Sequence, residues 1–108
     1  MDGPTEVKEI DVTELAVLQG DGVVLVDVRQ HHEFVEARVP GAQLLPLSDL
    51  PDQVHQLPSD EIVYVICRTG ARSRAACEFL TQQGFEAVNI AGGTLAWIEA
   101  GYEVHSGS

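Results

Sequence analysis

Residues 61–84 read EIVYVICRTGARSRAACEFLTQQG, and the organisation of the chain is read outward from them. Ile62, Val63, Tyr64, Val65 and Ile66 are apolar without a break and rich in β-branched and aromatic side chains. A strand with no polar face is buried on both sides, as in a parallel sheet covered by helices. From Ser73 to Gln83 the pattern turns helical: Ala76, Phe79 and Leu80 share one face, and Gly84 is placed to end the helix. The loop between begins at Cys67 and runs through Arg68, Thr69, Gly70, Ala71 and Arg72. It lies beyond the carboxyl end of a strand, where open α/β sheets bind their ligands. It also leads into a helix amino terminus, whose free N–H groups and dipole favour an anion. With Arg68 and Arg72 adding positive charge, these are conditions that turn a thiol, ordinarily of pKa about 8.5, into a reactive thiolate. Cys67 is therefore read as a nucleophile; an inert buried cysteine is the alternative.

Upstream, Val7 to Ile10 suits a short strand, and Asp11 or Thr13 caps a helix carrying Val12, Leu15 and Ala16 on one face. Gly20-Asp21-Gly22 stops it, and Val23 to Val28 forms a second apolar strand ending in Asp27-Val28-Arg29. A short helix is expected over Gln30 to Ala37, with Arg29 and Glu33 at a spacing that allows an ion pair. Val39-Pro40-Gly41-Ala42 turns into a short strand, Gln43 to Leu45, and Leu47 to Leu57, bracketed by prolines, holds a short helix. Downstream, Ala87 to Ile90 is a further strand, Gly92-Gly93 breaks the chain, and Thr94 to Ala100 is a last helix ended by Gly101. This alternation predicts an α/β fold of three layers, α/β/α, around a mostly parallel sheet of about five strands. Residues 1–6 are expected to be loosely ordered, 7–105 to form the domain, and 106–108 to be flexible.

A chain of 108 residues holds one domain with a real core. Its net charge of −11, from 17 acidic and 6 basic residues, argues against nucleic acid and against anionic membrane surfaces. Yet three of those six basic residues, Arg68, Arg72 and Arg74, crowd around Cys67. Arg74 reads equally as a solvated charge or as a guide for anions. No run is long enough to span a membrane, and MDGPTEVKEI lacks the basic and apolar regions of a signal peptide. Two cysteines do not make a disulfide framework, so a reducing, cytoplasmic setting is expected. Cys77 reads as a small core hydrophobe and Trp97, with Leu95 and Ile98, as core. His31 and His32 lack a third ligand at a suitable spacing and read as exposed helix residues, so no metal is expected.

Four segments together resemble the single-domain rhodanese, or thiosulfate sulfurtransferase-like, family over nearly the whole chain. They are Asp27-Val28-Arg29 with Glu33-Phe34; Val39-Pro40-Gly41-Ala42; Cys67-Arg68-Thr69-Gly70-Ala71-Arg72-Ser73; and Gly92-Gly93 with Trp97 and Gly101. The family usually places histidine just before the second segment, often with glycine ahead of it; here Ala37-Arg38 stand there. The resemblance implies a rhodanese-like fold and a sulfurtransferase without cofactor, in which Cys67 accepts a sulfane sulfur and becomes a persulfide. The implied partners are a small anionic donor such as thiosulfate and an acceptor that is cyanide or a thiol, protein thiols included; a monomer is expected. Arg68 and Arg72 would orient the donor, and Thr69, Gly70 and Ala71 would complete the cradle with backbone N–H groups. Asp27, Arg29, Glu33 and Ser73 are assigned to structure near the site, with Arg29 paired to Glu33. A binding or sulfur-carrier module without thiosulfate turnover is the alternative. A phosphatase or arsenate reductase is disfavoured, because four residues separate Cys67 from Arg72 and the phosphatase loop has five.

Overall fold

The structure is a computed structural model describing residues 6–107. The expectations for residues 1–5 and for Ser108 lie outside the described residues. Five strands, β1 (Lys8–Ile10), β2 (Val24–Asp27), β3 (Gln43–Leu44), β4 (Ile62–Ile66) and β5 (Glu86–Ile90), form one sheet in the order β1-β5-β4-β2-β3. Every neighbouring pair is parallel. The unbroken apolar run of β4 takes the centre, where both faces are covered, as its sequence requires.

The period of two along each strand sorts the core into two halves. On one face Val26, Val63, Val65 and Ala87 pack against α4 (Ala71–Gln82), through Ala76, Cys77 and Leu80, and against α3 (Leu50–Gln53) through Leu50. On the other, Leu25, Tyr64, Ile66, Val88 and Ile90 meet Val12 and Leu15 of α1 (Val12–Leu18) and Trp97 of α5 (Gly93–Glu99). The three-layer expectation holds. Asp11 caps α1 as expected, its carboxylate accepting the Glu14 N–H at 2.9 Å.

The stretch 47–57 holds a short helix, as expected: the four-residue α3, set between 3₁₀ turns at Leu47–Asp49 and Val54–Gln56. Pro51, which lacks an N–H, sits in the first turn of α3, where that group has no partner to lose. α4 starts at Ala71 rather than Ser73, because Gly70 takes φ +115° and serves as its N-cap. Arg72 and Ser73 thereby belong to the first turn of a helix. α2 (His31–Glu36) buries no side chain, and the C-terminal segment is tied to it. Arg38 and His105 exchange backbone hydrogen bonds of 2.9 Å, and the Gly107 N–H donates to the Val35 carbonyl at 2.8 Å.

Candidate active site

Cys67 follows directly on β4 and is only 1% exposed. The Gly70 N–H donates to its Sγ at 3.1 Å, the Ser73 hydroxyl lies 3.3 Å from it, and the N–H groups of Thr69 and Ser73 also face it. Burial pushes the thiol up, but the hydrogen bonds from Ser73, Gly70 and Thr69 together outweigh it and hold the pKa below its usual value. The loop is bent into this shape from behind. The Cys67 carbonyl accepts from the Thr94 N–H at 2.9 Å and the Thr94 hydroxyl at 3.0 Å, and the Arg68 carbonyl accepts from the Leu95 N–H at 3.0 Å. A trans peptide whose carbonyl points at α5 carries its N–H the opposite way, so the Thr69 N–H is turned toward the sulfur. The close approach depends on Gly93: its φ is +61°, and a Cβ there would lie 2.6 Å from both the Cys67 and Arg68 carbonyl oxygens.

The charged residues are partnered differently from the sequence reading. Arg29 does not pair with Glu33. Its guanidinium grips Asp27, Nε to Oδ1 at 2.9 Å and Nη2 to Oδ2 at 2.8 Å, and Nη2 also donates to the Ala37 carbonyl at 2.7 Å. Both side chains of this pair are buried. Arg29 precedes the N-cap Gln30 and so lies off the helix surface, where the four-residue rule does not apply. Glu33 instead receives Arg72 in a two-pronged contact of 2.8 and 2.9 Å, and accepts the Gln30 N–H at 3.0 Å. The Arg72 guanidinium, more than burial opposes it, holds the Glu33 carboxyl down at about 2. Arg72 remains close enough to Cys67 for the sulfur's charge to act on it.

Arg68 is exposed and has no hydrogen-bonded or ionic partner for its side chain among the described residues. It borders a crevice of about 310 Å³ together with Glu33, His32, Leu95 and Ile98. A larger cavity of about 380 Å³, lined by Gln19, Leu25 and Pro40 among others, has no ionisable side chain among the described residues that line it. The side chains of Thr69 and Ala71 are exposed; of the two, Thr69 faces the sulfur with its N–H. Arg74 is exposed and stands 3.4 Å from Glu9. His31 and His32 are exposed on α2. Cys77 is fully buried, and burial pushes its thiol up to about 12, which suits a core residue. Trp97 is core, with its Nε1–H donating to the Glu103 carbonyl at 2.7 Å, whereas Leu95 is half-buried and Ile98 exposed rather than core.

Three participants were missed by sequence reasoning: Thr94, which holds the Cys67 carbonyl; Asn89, whose Oδ1 is hydrogen-bonded by the Ser73 hydroxyl; and Glu9, which accepts from Asn89 Nδ2 at 2.8 Å. Asn89 left one signal, being the single polar residue in the otherwise apolar run from Ala87 to Ile90. Thr94 and Glu9 left none.

The Rhodanese-like domain family model matches residues 11–100. A sulfurtransferase of Allochromatium vinosum is 39% identical over 101 residues, covering 91% of this chain and 94% of its own. The thiosulfate sulfurtransferase GlpE of Stutzerimonas stutzeri is 31% identical over 94 residues, covering 86% of each chain. Among solved structures, a rhodanese-related protein of Thermoplasma volcanium superposes with a TM-score of 0.86 at 34% identity, covering 91% of this chain and 97% of that one. The chain belongs to the rhodanese-like sulfurtransferase family.

Proposed function

We propose that the protein moves a sulfane sulfur from a small anionic donor such as thiosulfate to cyanide or a thiol, protein thiols included, through a persulfide on Cys67. The Cys67 thiolate attacks the outer sulfur of thiosulfate, the sulfur–sulfur bond of the donor breaks, and sulfite leaves with the electron pair. The acceptor then attacks the terminal sulfur of the persulfide, and the electron pair of that bond returns to Cys67 as thiolate. The observation that carries the reading is the ring of donors around Sγ: the N–H groups of Thr69, Gly70 and Ser73 and the Ser73 hydroxyl. It stabilises the thiolate before attack and suits the anionic persulfide after it. Near-complete burial of Cys67 supports transfer of a single sulfur atom over accommodation of a tetrahedral oxyanion. Arg68, exposed and without a partner among the described residues, supplies charge for the donor.

One observation favours a second donor class. Arg72 is already neutralised by Glu33, which leaves less positive charge for a dianion than the sequence suggests and suits a less charged persulfide donor. Thiocyanate formation from thiosulfate and cyanide, beside transfer from a low-molecular-weight persulfide, tests both. Cys67→Ser should abolish both activities, whereas Cys77→Ala should retain them. Full activity in Cys67→Ser overturns the proposal.

A further inference from the structure

The Ser73 hydroxyl carries one proton and stands within reach of three acceptors: Cys67 Sγ at 3.3 Å, the Gly70 carbonyl at 3.2 Å, and Asn89 Oδ1. One proton serves one of them well at a time. The orientation of the Asn89 amide is forced. Its Nδ2 faces Glu9 Oε2 at 2.8 Å and the Gly70 carbonyl at 3.2 Å, and a carboxylate and a carbonyl can only accept. Oδ1 is therefore held toward Ser73, and turning the amide over would set oxygen against oxygen at both contacts.

This orientation has opposite consequences for the two states of the sulfur. With Cys67 as a thiol, Ser73 gives its proton to Asn89 Oδ1, and its oxygen accepts the weak S–H donor; every group is satisfied. With Cys67 as a thiolate, the sulfur becomes an acceptor and competes for the same proton. If Ser73 turns to the sulfur, Asn89 Oδ1, 1% exposed as a residue, is left without that donor, which costs free energy. The backbone N–H groups of the loop draw Cys67 toward thiolate, and the contact from β5 draws the other way.

We propose that Asn89, fixed by Glu9 of β1, is a positioning residue that restrains ionisation of Cys67 by engaging the Ser73 proton. The other charged or titratable groups around the sulfur are Arg68 and Arg72, Glu33 behind Arg72, the buried Asp27–Arg29 pair at the end of β2, Arg74 beside Glu9, and Cys77 in α4. From α5 the contact is the uncharged Thr94. None of these accepts the Ser73 proton.

The proposal rests on Cys67 as the nucleophile of the proposed reaction, but its test does not need sulfur transfer. The rate of alkylation by a neutral reagent is followed against pH, because it reads the thiolate directly. Alkylation stays interpretable in a protein inactive with thiosulfate, so the two readings fail separately. Asn89→Ala should lower the midpoint by about half a pH unit or more, roughly threefold in rate below the midpoint. Glu9→Ala, a change at an exposed position, should give a smaller shift in the same direction, because the Gly70 carbonyl still orients the amide. In a Ser73→Ala background both shifts should vanish, since no proton remains to compete for. A merely structural role, or loss of the Glu9 charge acting through space, persists without Ser73. Shifts of equal size in both backgrounds, or an unmoved or raised midpoint in Asn89→Ala and Glu9→Ala alike, overturn the proposal. Should Asn89→Ala not fold, Glu9→Ala with and without Ser73 decides alone.

Discussion

The pair formed by Glu33 and Arg72 changes what each charge near the sulfur is expected to do. Arg72→Ala removes a cation and also leaves Glu33 as an unpaired carboxylate facing the crevice that Arg68 borders. The specificity constant for thiosulfate should fall at least tenfold, about 1.4 kcal/mol or more, and adding Glu33→Gln should restore part of it. Glu33→Gln alone should raise that constant, because Arg72 is then released toward the donor. Arg68→Ala should cost at least about tenfold as well. Steady-state kinetics of the four variants checks the set; equal losses in Arg72→Ala and in the double variant would exclude competition by Glu33. The same pair carries a pH signature. The Glu33 carboxyl is held at about 2 against an ordinary 4.5, so its pairing stabilises the fold fully above the ordinary value and is lost as pH falls through about 2. The melting temperature of Glu33→Gln should thus lie below the parent's at pH 6 and converge with it as the medium approaches pH 2. Arg72 is more than a third exposed, so the gap should be modest. Cys67 could be singled out from its strand-end position, whereas the partner of Glu33 could not: it lies 39 residues away, and only the packing of α2 beside the loop brings the two together.

The loop between β4 and α4 works because the amino end of α5 holds its carbonyls. That role of Gly92-Gly93 was invisible in a sequence that showed only a chain break, since it depends on how β5 and α5 pack against β4. Gly93→Ala combines a left-handed backbone, costing about 1–3 kcal/mol, with a Cβ 2.6 Å from two carbonyl oxygens. The variant should lose more stability than Gly84→Ala, where φ is +93° but a Cβ meets nothing within 4 Å. It should also slow alkylation of Cys67, while Gly84→Ala should not. Chemical denaturation and alkylation rates check this, and a Gly93→Ala protein of parental stability would show that the contact is dispensable. The strands were readable from periodicity and β-branching, and their parallel order from the alternation of elements. The start of α4 was not, because Gly70 caps it through a backbone angle rather than a side-chain signal.

Across the whole molecule, Arg38, which stands where the resemblance led to an expectation of histidine, closes the chain on itself. Arg38 Nη1 donates to the Phe34 carbonyl at 3.0 Å and to the Gly107 carbonyl at 2.7 Å, and its guanidinium lies over the Phe34 ring at 4.6 Å. The C-terminal segment is thereby fastened to α2, the helix that supplies Glu33. Arg38→Ala should cost about 1–3 kcal/mol of stability and increase amide exchange in residues 102–107, with a smaller effect on the specificity constant than Arg72→Ala. Unchanged exchange there would mean that the backbone bridge between Arg38 and His105 suffices.

The central claim is that Cys67 carries the transferred sulfur. Intact-mass measurement after incubation with thiosulfate tests it most directly. The account predicts one added sulfur atom on the parent and on Cys77→Ala, removed by cyanide or a reducing thiol, and none on Cys67→Ser. No added sulfur from thiosulfate or from a persulfide donor, or the same addition on Cys67→Ser, would contradict it.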